Sequence, residues 1–591
     1  MDDLTLRYYE AEMRYLREAG KEFARAHPDR AALLNIDRVG KRDPYVERLF
    51  EGFAFLTGRI RQKLDDDFPE LTEGLVNMLW PHYLRMVPSL TVLELRADAH
   101  ALQQAKPVEA GLSVLTSPVG ANAVRCAYRT TQAAMIRPLL LCQAGTRLDG
   151  EGRSVLELRF DLGATAKREA LDLSRLRLFL DADPPIAFAL RHALTRQLGR
   201  ARLRPLGRAG YPVHEMPALR FEPVGFNEAD RLWPKADNAF GGYQLLLEYF
   251  CFREKFQFLD LAGLDAALLP GDSTGFTLEL TLTQRYPADM PFNADNLRLH
   301  CVPAINLFPM EAEPLHVNHL NHEYRVVPLA SQGPEIEAWS VDEVVSMDTE
   351  NGGRHAYLPF TSFQHRGGML RDEAPERFYH ARTRLGAAGR PETWLALGGH
   401  LWDSPSAAMR EEILSLRVTG TNGMLPRKAL REAQILERSA APPLTQIANL
   451  TAPTLPCYPP AEDRYQWRVL SHLAPNFLSL LNVEVLRGTL ALYDWTEDEL
   501  NRQRLNGLLE VRHQLVSRVK QGCMERGVRI ELTVDRSGFA GPGDIHLFGD
   551  LMHRFFAAYA DMNLFTRFEL RILPENERVR WPDSKTEAPP L

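Results

Sequence analysis

Three closely spaced histidines are the combination of residue types that comes nearest to a metal site. They are His316, His319 and His322, and His300 and Cys301 lie a short distance before them. Imidazole and thiolate are usual ligands of structural zinc. Steps of three residues drift around a helix and change faces along a strand, so neither element would make the rings converge. We therefore interpret the segment as a loop with ordinary histidines and expect no metal or cofactor.

Three other short motifs suggest chemistry that their surroundings do not support. The run Asp65–Asp67 resembles a magnesium ligand set, but helix termination and capping explain it. Ser471 and His472 are neighbours, and no G-x-S-x-G elbow of a hydrolase is present. Gly541-Pro542-Gly543 lacks the Lys-Ser/Thr of a phosphate-binding loop and is typical of a turn. The sequence predicts no catalytic residue, and an enzyme built on β domains, of a hydrolase kind, is kept as an alternative.

Size and composition are those of an ordinary large soluble protein. The 591 residues are 45% hydrophobic and 25% charged, with a net charge of -7, and suffice for several domains. The N-terminus is acidic and lacks an apolar signal segment, and the apolar runs are too short to cross a bilayer. Six scattered cysteines fit reduced thiols better than a disulfide frame. These features predict a cytoplasmic location.

Two amphipathic helices are predicted before residue 80. Their apolar residues alternate in steps of three and four, so each helix needs a partner for one face. The predicted interface residues are Leu6, Tyr9, Met13, Leu16 and Phe23 in the first helix and Val46, Leu49, Phe53, Leu56 and Ile60 in the second. The two stripes either pack on each other as a hairpin within the chain, or one of them enters an intermolecular bundle. The sequence leaves both arrangements open.

The remaining elements predict a multidomain α+β fold. From Leu90 the period changes to two, which favours short, mostly antiparallel strands, and helices return after a proline-rich connector. The predicted regions are an N-terminal helical region (1–89), a first β-rich domain (90–212), a second β-rich domain (213–440) and a C-terminal α+β domain (441–591). In the last region we expect a polar helix over Asn501–Lys520, a strand over Val528–Val534 and a disordered tail from Trp581.

Two pairs of strand segments are separated by almost the same distance. The first pair is Val155–Phe160 and Leu176–Leu180, and the second is Phe276–Leu280 and Leu297–Cys301. Equal offsets of similar segments hint at a duplicated β module, although short strand sequences also recur by chance.

A basic segment lies at the end of the first predicted β-rich domain. Its arginines are Arg191, Arg196, Arg200, Arg202, Arg204 and Arg208, and no acidic residue occurs from 186 to 214. Such a patch could bind an acidic partner, a phosphate backbone or a lipid surface. Between the first and last arginine there is no aromatic residue to stack on bases, so a solvated linker or helix face is the preferred interpretation. A protein partner and a nucleic-acid partner are the alternatives.

Several longer segments carry a family resemblance. The segments are DPYVERLFEGFAFLTGRIRQKLDDDFPELTEGL at 43–75, WPHYLRMVPSL at 80–90, GYQLLLEYF at 242–250, EKFQF at 254–258 and TNGMLP at 421–426. Together they resemble the TssF family (also VasA or ImpG) of type VI secretion baseplate subunits. The aromatic-rich segments at 242–250 and 254–258 would suit half-buried strands.

The resemblance implies a structural wedge component of the baseplate and no catalytic residue. Such a subunit is expected to form a homodimer, to bind TssG, and to assemble with TssK and the sheath-initiating TssE around the spike. The assembled wedge would anchor the contractile sheath and dock indirectly on the inner-membrane complex, at the cytoplasmic face of that membrane. No nucleic acid is expected. An unrelated cytoplasmic scaffold is the remaining alternative.

Overall fold

The structure of the chain is a computed structural model. It describes residues 9, 12–13, 16, 48–57, 73–77, 80–120, 122–167, 171–208, 210–234, 241–317, 321, 323–329, 336–348, 353–360, 377–385, 391–399, 412–428, 435–437, 444–460, 469, 481–496, 498–520, 522–559 and 564–585.

The chain forms two compact units. One contains Met1–Met78 and Pro460–Ala474, and the other contains Leu79–Pro459 and Pro475–Leu591. In the first unit residues 48–57 and 73–77 are helical, and the segment 48–57 agrees with the second predicted helix. Among the described residues no helix is both long enough and apolar enough to span a membrane.

Strands form most of the regular secondary structure that is described in the larger unit. In chain order they are β1 (Leu90–Ala97), β2 (Lys106–Val108), β3 (Ser113–Leu115), β4 (Ala127–Thr130), β5 (Ala134–Ile136), β6 (Leu139–Leu148), β7 (Ser154–Leu162), β8 (Arg175–Leu180), β9 (Leu198–Leu206), β10 (His214–Glu215), β11 (Arg220–Pro223), β12 (Phe258–Ala262), β13 (Gly275–Leu282), β14 (Leu297–Leu299), β15 (Cys301–Ile305), β16 (Phe308–Glu311), β17 (Leu315–Val317), β18 (Glu323–Val326), β19 (Glu337–Asp348), β20 (Arg354–Pro359), β21 (Arg377–Leu385), β22 (Pro391–Gly399), β23 (Glu412–Thr421), β24 (Leu436–Glu437), β25 (Leu444–Asn449), β26 (Leu508–Lys520), β27 (Cys523–Asp535), β28 (Leu564–Leu573), β29 (Glu577–Arg580) and β30 (Ser584–Lys585).

Helices of the larger unit lie between and after these strands. They are α1 (Pro184–Arg196), α2 (Gly241–Cys251), α3 (Leu425–Lys428), α4 (Val483–Ala491), α5 (Glu499–Asn506) and α6 (Pro542–Tyr559). Short 3-10 turns add Pro81–Leu84, Glu228–Asp230, Arg253–Gln257, Ala266–Leu268, Ala294–Asn296 and Arg536–Gly538.

The central strands form four main sheets. Two of them, β10-β9-β13-β7-β6 and β11-β12-β8-β14, contribute to one apolar core to which α1 also contributes. A six-stranded sheet, β24-β25-β1-β15-β4-β3, and an eight-stranded sheet, β16-β23-β19-β20-β21-β22-β18 with β17 beside β23, have cores of their own. Pairing is antiparallel except between β20 and β21 and between β27 and β28. The predicted multidomain α+β class with mostly antiparallel strands is confirmed.

The segments that hinted at a duplicated module pair with one another. Phe276 lies opposite Phe160 where β13 pairs with β7, and Leu297 lies opposite Leu180 where β14 pairs with β8. Both segment pairs therefore belong to the same two sheets and do not form two separate modules. Strands from both sides of residue 212 share these sheets.

One buried helix replaces a predicted strand. Residues 242–250, expected to be half-buried strand, form most of α2, and every one of them is buried. A helix that is buried all around has no polar face, so its sequence shows no amphipathic period and is easily mistaken for a buried strand.

The C-terminal part contains β26-β27-β28-β29, with β30 paired to β28, and the helix α6. The predicted polar helix over Asn501–Lys520 is wrong after Asn506, because α5 ends there and β26 begins at Leu508. The predicted disordered tail is wrong for Trp581–Lys585. There the Trp581 ring is buried and its Nε1 donates to Asp550 Oδ1 at 2.8 Å, while β30 joins the sheet.

Candidate functional site

The described part of the second predicted interface stripe is exposed. Leu49, Phe53 and Leu56 lie in the helical segment 48–57, and their exposed fractions are 59%, 58% and 60%. Steps of four and three residues keep these side chains on one side of a helix. Ala54, on a different side, is completely buried. Three large apolar side chains of one helical stripe thus face solvent in the isolated chain.

The first stripe differs from the second in burial. Met13 is buried, and Tyr9 and Leu16 are half-buried. The other predicted interface residues, Leu6, Phe23, Val46 and Ile60, lie outside the described residues. The structure therefore places six of the ten predicted residues, three of them on an exposed apolar stripe.

An aromatic cluster packs around the segment 80–87, with which the larger unit begins. Trp80 and Tyr83 lie 5.0 Å apart between ring centroids and contact Tyr493 at 5.8 and 5.7 Å. Tyr243 of α2 stacks on Tyr493 at 5.2 Å with an interplanar angle of 6°. The Tyr83 hydroxyl donates to the carbonyl of Leu492 at 3.0 Å. Buried aromatic pairs of this kind contribute about 1 kcal/mol each beyond their area burial.

The same segment is also attached to the eight-stranded sheet. His82 stacks on Trp339 of β19 at 5.8 Å, and the guanidinium of Arg85 lies 4.9 Å from the same ring. The Trp339 Nε1–H donates to the carbonyl of Met86 at 2.9 Å. Burial lowers the pKa of His82 to about 3, so this imidazole is neutral at physiological pH. The segment 80–87 therefore contacts both the helical and the β parts of its unit.

Asn306 and Asn422 form a buried polar junction between two sheets. The side chain of Asn306 donates to the carbonyl of Ala127 at 2.7 Å and to Asn422 Oδ1 at 2.9 Å. Its own Oδ1 accepts from the Asn422 N–H at 2.7 Å and from the Thr421 hydroxyl at 2.9 Å. A Cβ at Gly423, which has φ +51, would lie 2.5 Å from Glu337 Oε1, so the Asn-Gly turn requires glycine here. Sequence reasoning missed this side-chain network.

The arginines of the basic segment contact carboxylates from other elements. Asp550 of α6 accepts from Arg191 and Arg196 at 3.0 and 3.1 Å. The remaining contacts join Arg200 and Arg202 to Glu215, Arg202 and Arg204 to Glu279, and Arg208 to Asp272. Each positive charge has an acidic neighbour within the chain, although none is close in sequence. This geometry favours the structural interpretation of the segment over a nucleic-acid surface.

The candidate metal ligands are not brought together in the part of the chain that the structure describes. His300 is held by Arg137, whose backbone N–H donates to His300 Nε2 at 3.0 Å, and burial lowers the pKa of His300 to about 4. His316 is exposed on β17, and His319 and His322 lie outside the described residues. Over those described residues no group of three or more His, Cys, Asp or Glu side chains could hold a metal ion.

The other short motifs have structural roles or cannot be placed. Gly541, with φ +129, lies in the bend before α6, and Gly543 lies in the first turn of that helix. Asp65–Asp67 and the Ser471-His472 pair lie outside the described residues.

Comparison with known proteins identifies relatives over nearly the whole length. A family model described as "Type VI secretion system, TssF" matches residues 1–588. The type VI secretion system component TssF1 of Pseudomonas aeruginosa is 31% identical, with 98% of each chain covered.

Two solved structures are similar to this chain. One chain of a TssK-TssF-TssG baseplate subcomplex is 48% identical, with a TM-score of 0.79, and the match covers 92% of this chain and 99% of that one. A chain of a baseplate complex from the type VI secretion system is 44% identical, with a TM-score of 0.66, and the match covers 98% and 99%.

Proposed function

The chain belongs to the TssF family of type VI secretion systems, and from that premise we propose that it is a wedge subunit that binds TssG and TssK in the baseplate. The observation that carries the proposal is the likeness, over 92% of this chain, to a chain of the TssK-TssF-TssG subcomplex. The family and the similar structures have a structural role in the baseplate. No catalytic residue forms part of the proposal.

The proposed TssG contact uses the exposed stripe Leu49, Phe53 and Leu56 as part of an intermolecular helical bundle. The remaining predicted interface residues, Leu6, Tyr9, Met13, Leu16, Phe23, Val46 and Ile60, belong to the same proposal. Apolar anchors spaced by three and four residues are the pattern by which a helix packs into an apolar groove or bundle. Covering three side chains that are each more than half exposed supplies the apolar burial that drives association.

The wider assembly follows from the same role. The chain forms a homodimer within the wedge, which joins TssE, surrounds the spike and anchors the contractile sheath. The wedge docks indirectly on the inner-membrane complex from the cytoplasm. Its mechanism is mechanical, because packed interfaces hold the baseplate until a rearrangement releases the sheath.

Co-expression with the cognate TssG tests the proposal. We expect affinity purification of TssG to recover this chain, and mass determination in solution to find more than one copy of it in the complex. A folded monomer that does not bind TssG would overturn the wedge role.

The variant Phe53→Asp tests the stripe itself. Because Phe53 is 58% exposed, the variant should fold like the parent chain. Loss of an apolar anchor should weaken TssG binding by about 2 kcal/mol or more, roughly 30-fold. Leu148→Asp is the matched control, since Leu148 is 61% exposed on β6 in the other unit. If both variants bind TssG with the same affinity as the parent, the stripe is not part of the TssG interface.

A further inference from the structure

An unusually long strand forms the edge of the C-terminal sheet. β26 has 13 residues and, among the described strands, pairs only with β27. Its sequence contains neither proline nor glycine, and the register shift in its pairing with β27 lies at its first residues, between Leu508 and Glu510. Natural proteins usually protect such an edge with short strands, prolines, bulges or inward-pointing charges, because its free N–H and C=O groups invite another strand.

The apolar side chains at the far end of this hairpin are exposed. The exposed fractions of Leu515, Val519 and Met524 are 74%, 73% and 75%. Leu515 lies opposite Val528, and Val519 lies opposite Met524, so all four side chains are on one face. Val528 is itself 1% exposed. The exposed residues therefore continue a face that is buried elsewhere in the sheet.

The helix α6 covers that face only farther into the sheet. Ile530 of β27 lies beside Phe568 of β28, and the Phe568 ring contacts Phe556 of α6 at 5.8 Å. The helix α6, which covers Phe568, does not cover Leu515. The apolar face thus continues beyond its cover to the edge strand.

The opposite face of the hairpin is polar and has its contacts within the chain. Arg518 lies 2.7 Å from Glu525 and 2.9 Å from Asp583, and its guanidinium lies 4.2 Å from the Phe565 ring. Arg512 pairs with Glu510 at 2.8 Å. The polar face is satisfied locally, whereas no described residue covers the apolar face at Leu515 or pairs with the free edge of β26.

The side-chain order along β26 is complementary to itself when the strand is reversed. In an antiparallel pair centred on Leu515, Leu515 lies opposite Leu515 of the other strand and Val511 lies opposite Val519. His513 lies opposite Ser517 on the same face. Arg512 would lie opposite Arg518 on the polar face, where the carboxylates of Glu510, Glu525 and Asp583 compensate both charges.

We propose that β26 pairs with β26 of a second copy of this chain, antiparallel about Leu515, so that the two C-terminal sheets form one continuous sheet. A two-fold axis requires one surface that is complementary to itself, and the apolar face of β26 has that property. The pairing gives the outward N–H and C=O groups of β26 hydrogen-bond partners, and it places the exposed Leu and Val side chains against each other. The inference rests on the self-association included in the proposed function and names the surface that performs it.

Cysteine cross-linking tests the register. Directly opposite residues of antiparallel strands have Cβ atoms about 5 Å apart, near the range that a disulfide can bridge. With the exposed Cys142 replaced by Ser, the variant Leu515→Cys should cross-link to a second copy under mild oxidation. Gln514→Cys should not, because residue 514 would lie opposite Val516, and Leu148→Cys on β6 is the control for random collision.

Sedimentation of the full chain over a range of concentrations gives the second readout. Leu515→Lys puts two like charges opposite each other at the axis, and we expect at least a tenfold loss of self-association. Leu148→Lys should leave it unchanged. Since Leu515 is 74% exposed, the variant should keep the parent's thermal unfolding and its TssG binding.

The possible results separate this surface from the wider role. A dimer that forms without the cross-link at 515, or that cross-links at 514 instead, overturns the proposed pairing and leaves self-association standing. A chain that remains monomeric at all concentrations overturns the pairing. The measurement of TssG binding then tests the wedge role independently. A cross-link at 515 together with the loss of association in Leu515→Lys supports the pairing.

Discussion

At the residue scale, charges buried in the larger unit are held in pairs. Glu248 of α2 accepts hydrogen bonds from the Lys255 ammonium, from the Leu232 N–H at 2.9 Å and from Gln244 Nε2 at 3.0 Å. The side chains of Glu248 and Lys255 are each 1% exposed. A buried pair contributes little net stability, but loss of one partner leaves an uncompensated charge in a low-dielectric site.

Lys255→Met should therefore destabilise the larger unit by about 3–5 kcal/mol at pH 7. The measurement is the urea midpoint of unfolding. The double variant Glu248→Gln/Lys255→Met removes both charges and should regain most of the loss. If the single and double variants unfold alike, the cost arises from packing of the lysine side chain and not from the unpaired carboxylate.

At the element scale, the contact between α1 and α6 depends on a residue without a side chain. A Cβ at Gly543 would lie 2.0 Å from the carbonyl oxygen of Phe188 in α1. The two helices also share the ion pair of Arg191 and Asp550 at 3.0 Å. The sequence Gly541-Pro542-Gly543 thus ends a turn, begins a helix and permits a close helix–helix approach.

Gly543→Ala should cost about 1–3 kcal/mol, because the Cβ can be accommodated only if the two backbones separate. The matched control is Gly488→Ala in α4, where no atom lies within 4 Å of the added Cβ. There we expect a gain of about 0.5–1 kcal/mol from higher helix propensity. Thermal unfolding of both variants gives the comparison, and equal shifts would contradict the close approach.

Strands were predictable where buried side chains alternate with partly exposed ones. β27 contains the predicted strand Val528–Val534, in which Val528, Ile530 and Leu532 are buried and the residues between them are half-buried. β26 was predicted as part of a polar helix, and its apolar residues Val511, Leu515 and Val519 are four residues apart, which is also a helical spacing. α2 was predicted as strand because every side of it is buried. Both errors occur where burial depends on elements distant in the chain.

At the scale of the whole molecule, buried neutral histidines couple stability to pH. Burial lowers the pKa of His82 and His546 to about 3 and of His192, His300 and His553 to about 4. The rings of His192 and His546 stack at 4.7 Å between α1 and α6. The folded state therefore binds fewer protons than the unfolded state, whose histidines titrate near 6.5.

The contribution of these histidines to the free energy of unfolding should consequently be fully present above pH 6.5. It should decrease as the pH falls from 6.5 towards 4. At pH 5.5 each fully buried histidine should cost about 1 kcal/mol. Urea unfolding at pH 7.5 and 5.5 measures the difference, and His546→Gln should reduce it. His316→Gln, at an exposed histidine of β17, is the control. A stability that does not change between these pH values would contradict the neutral buried histidines.

Local information in the sequence was enough for the helical start, the α+β class, the family and the absence of a recognisable catalytic motif. The helices and the fold class depend on residue types and periods that are read within a short window, whereas the family depends on the resemblance of whole segments such as 43–75. The tertiary structure decided which apolar faces are covered, which carboxylates neutralise Arg191–Arg208, and that residues on both sides of 212 share two sheets. The physical reason is that burial and charge pairing are properties of contacts between distant segments. The sequence around Leu515 is the same whether the face of the sheet that carries this side chain is covered or exposed.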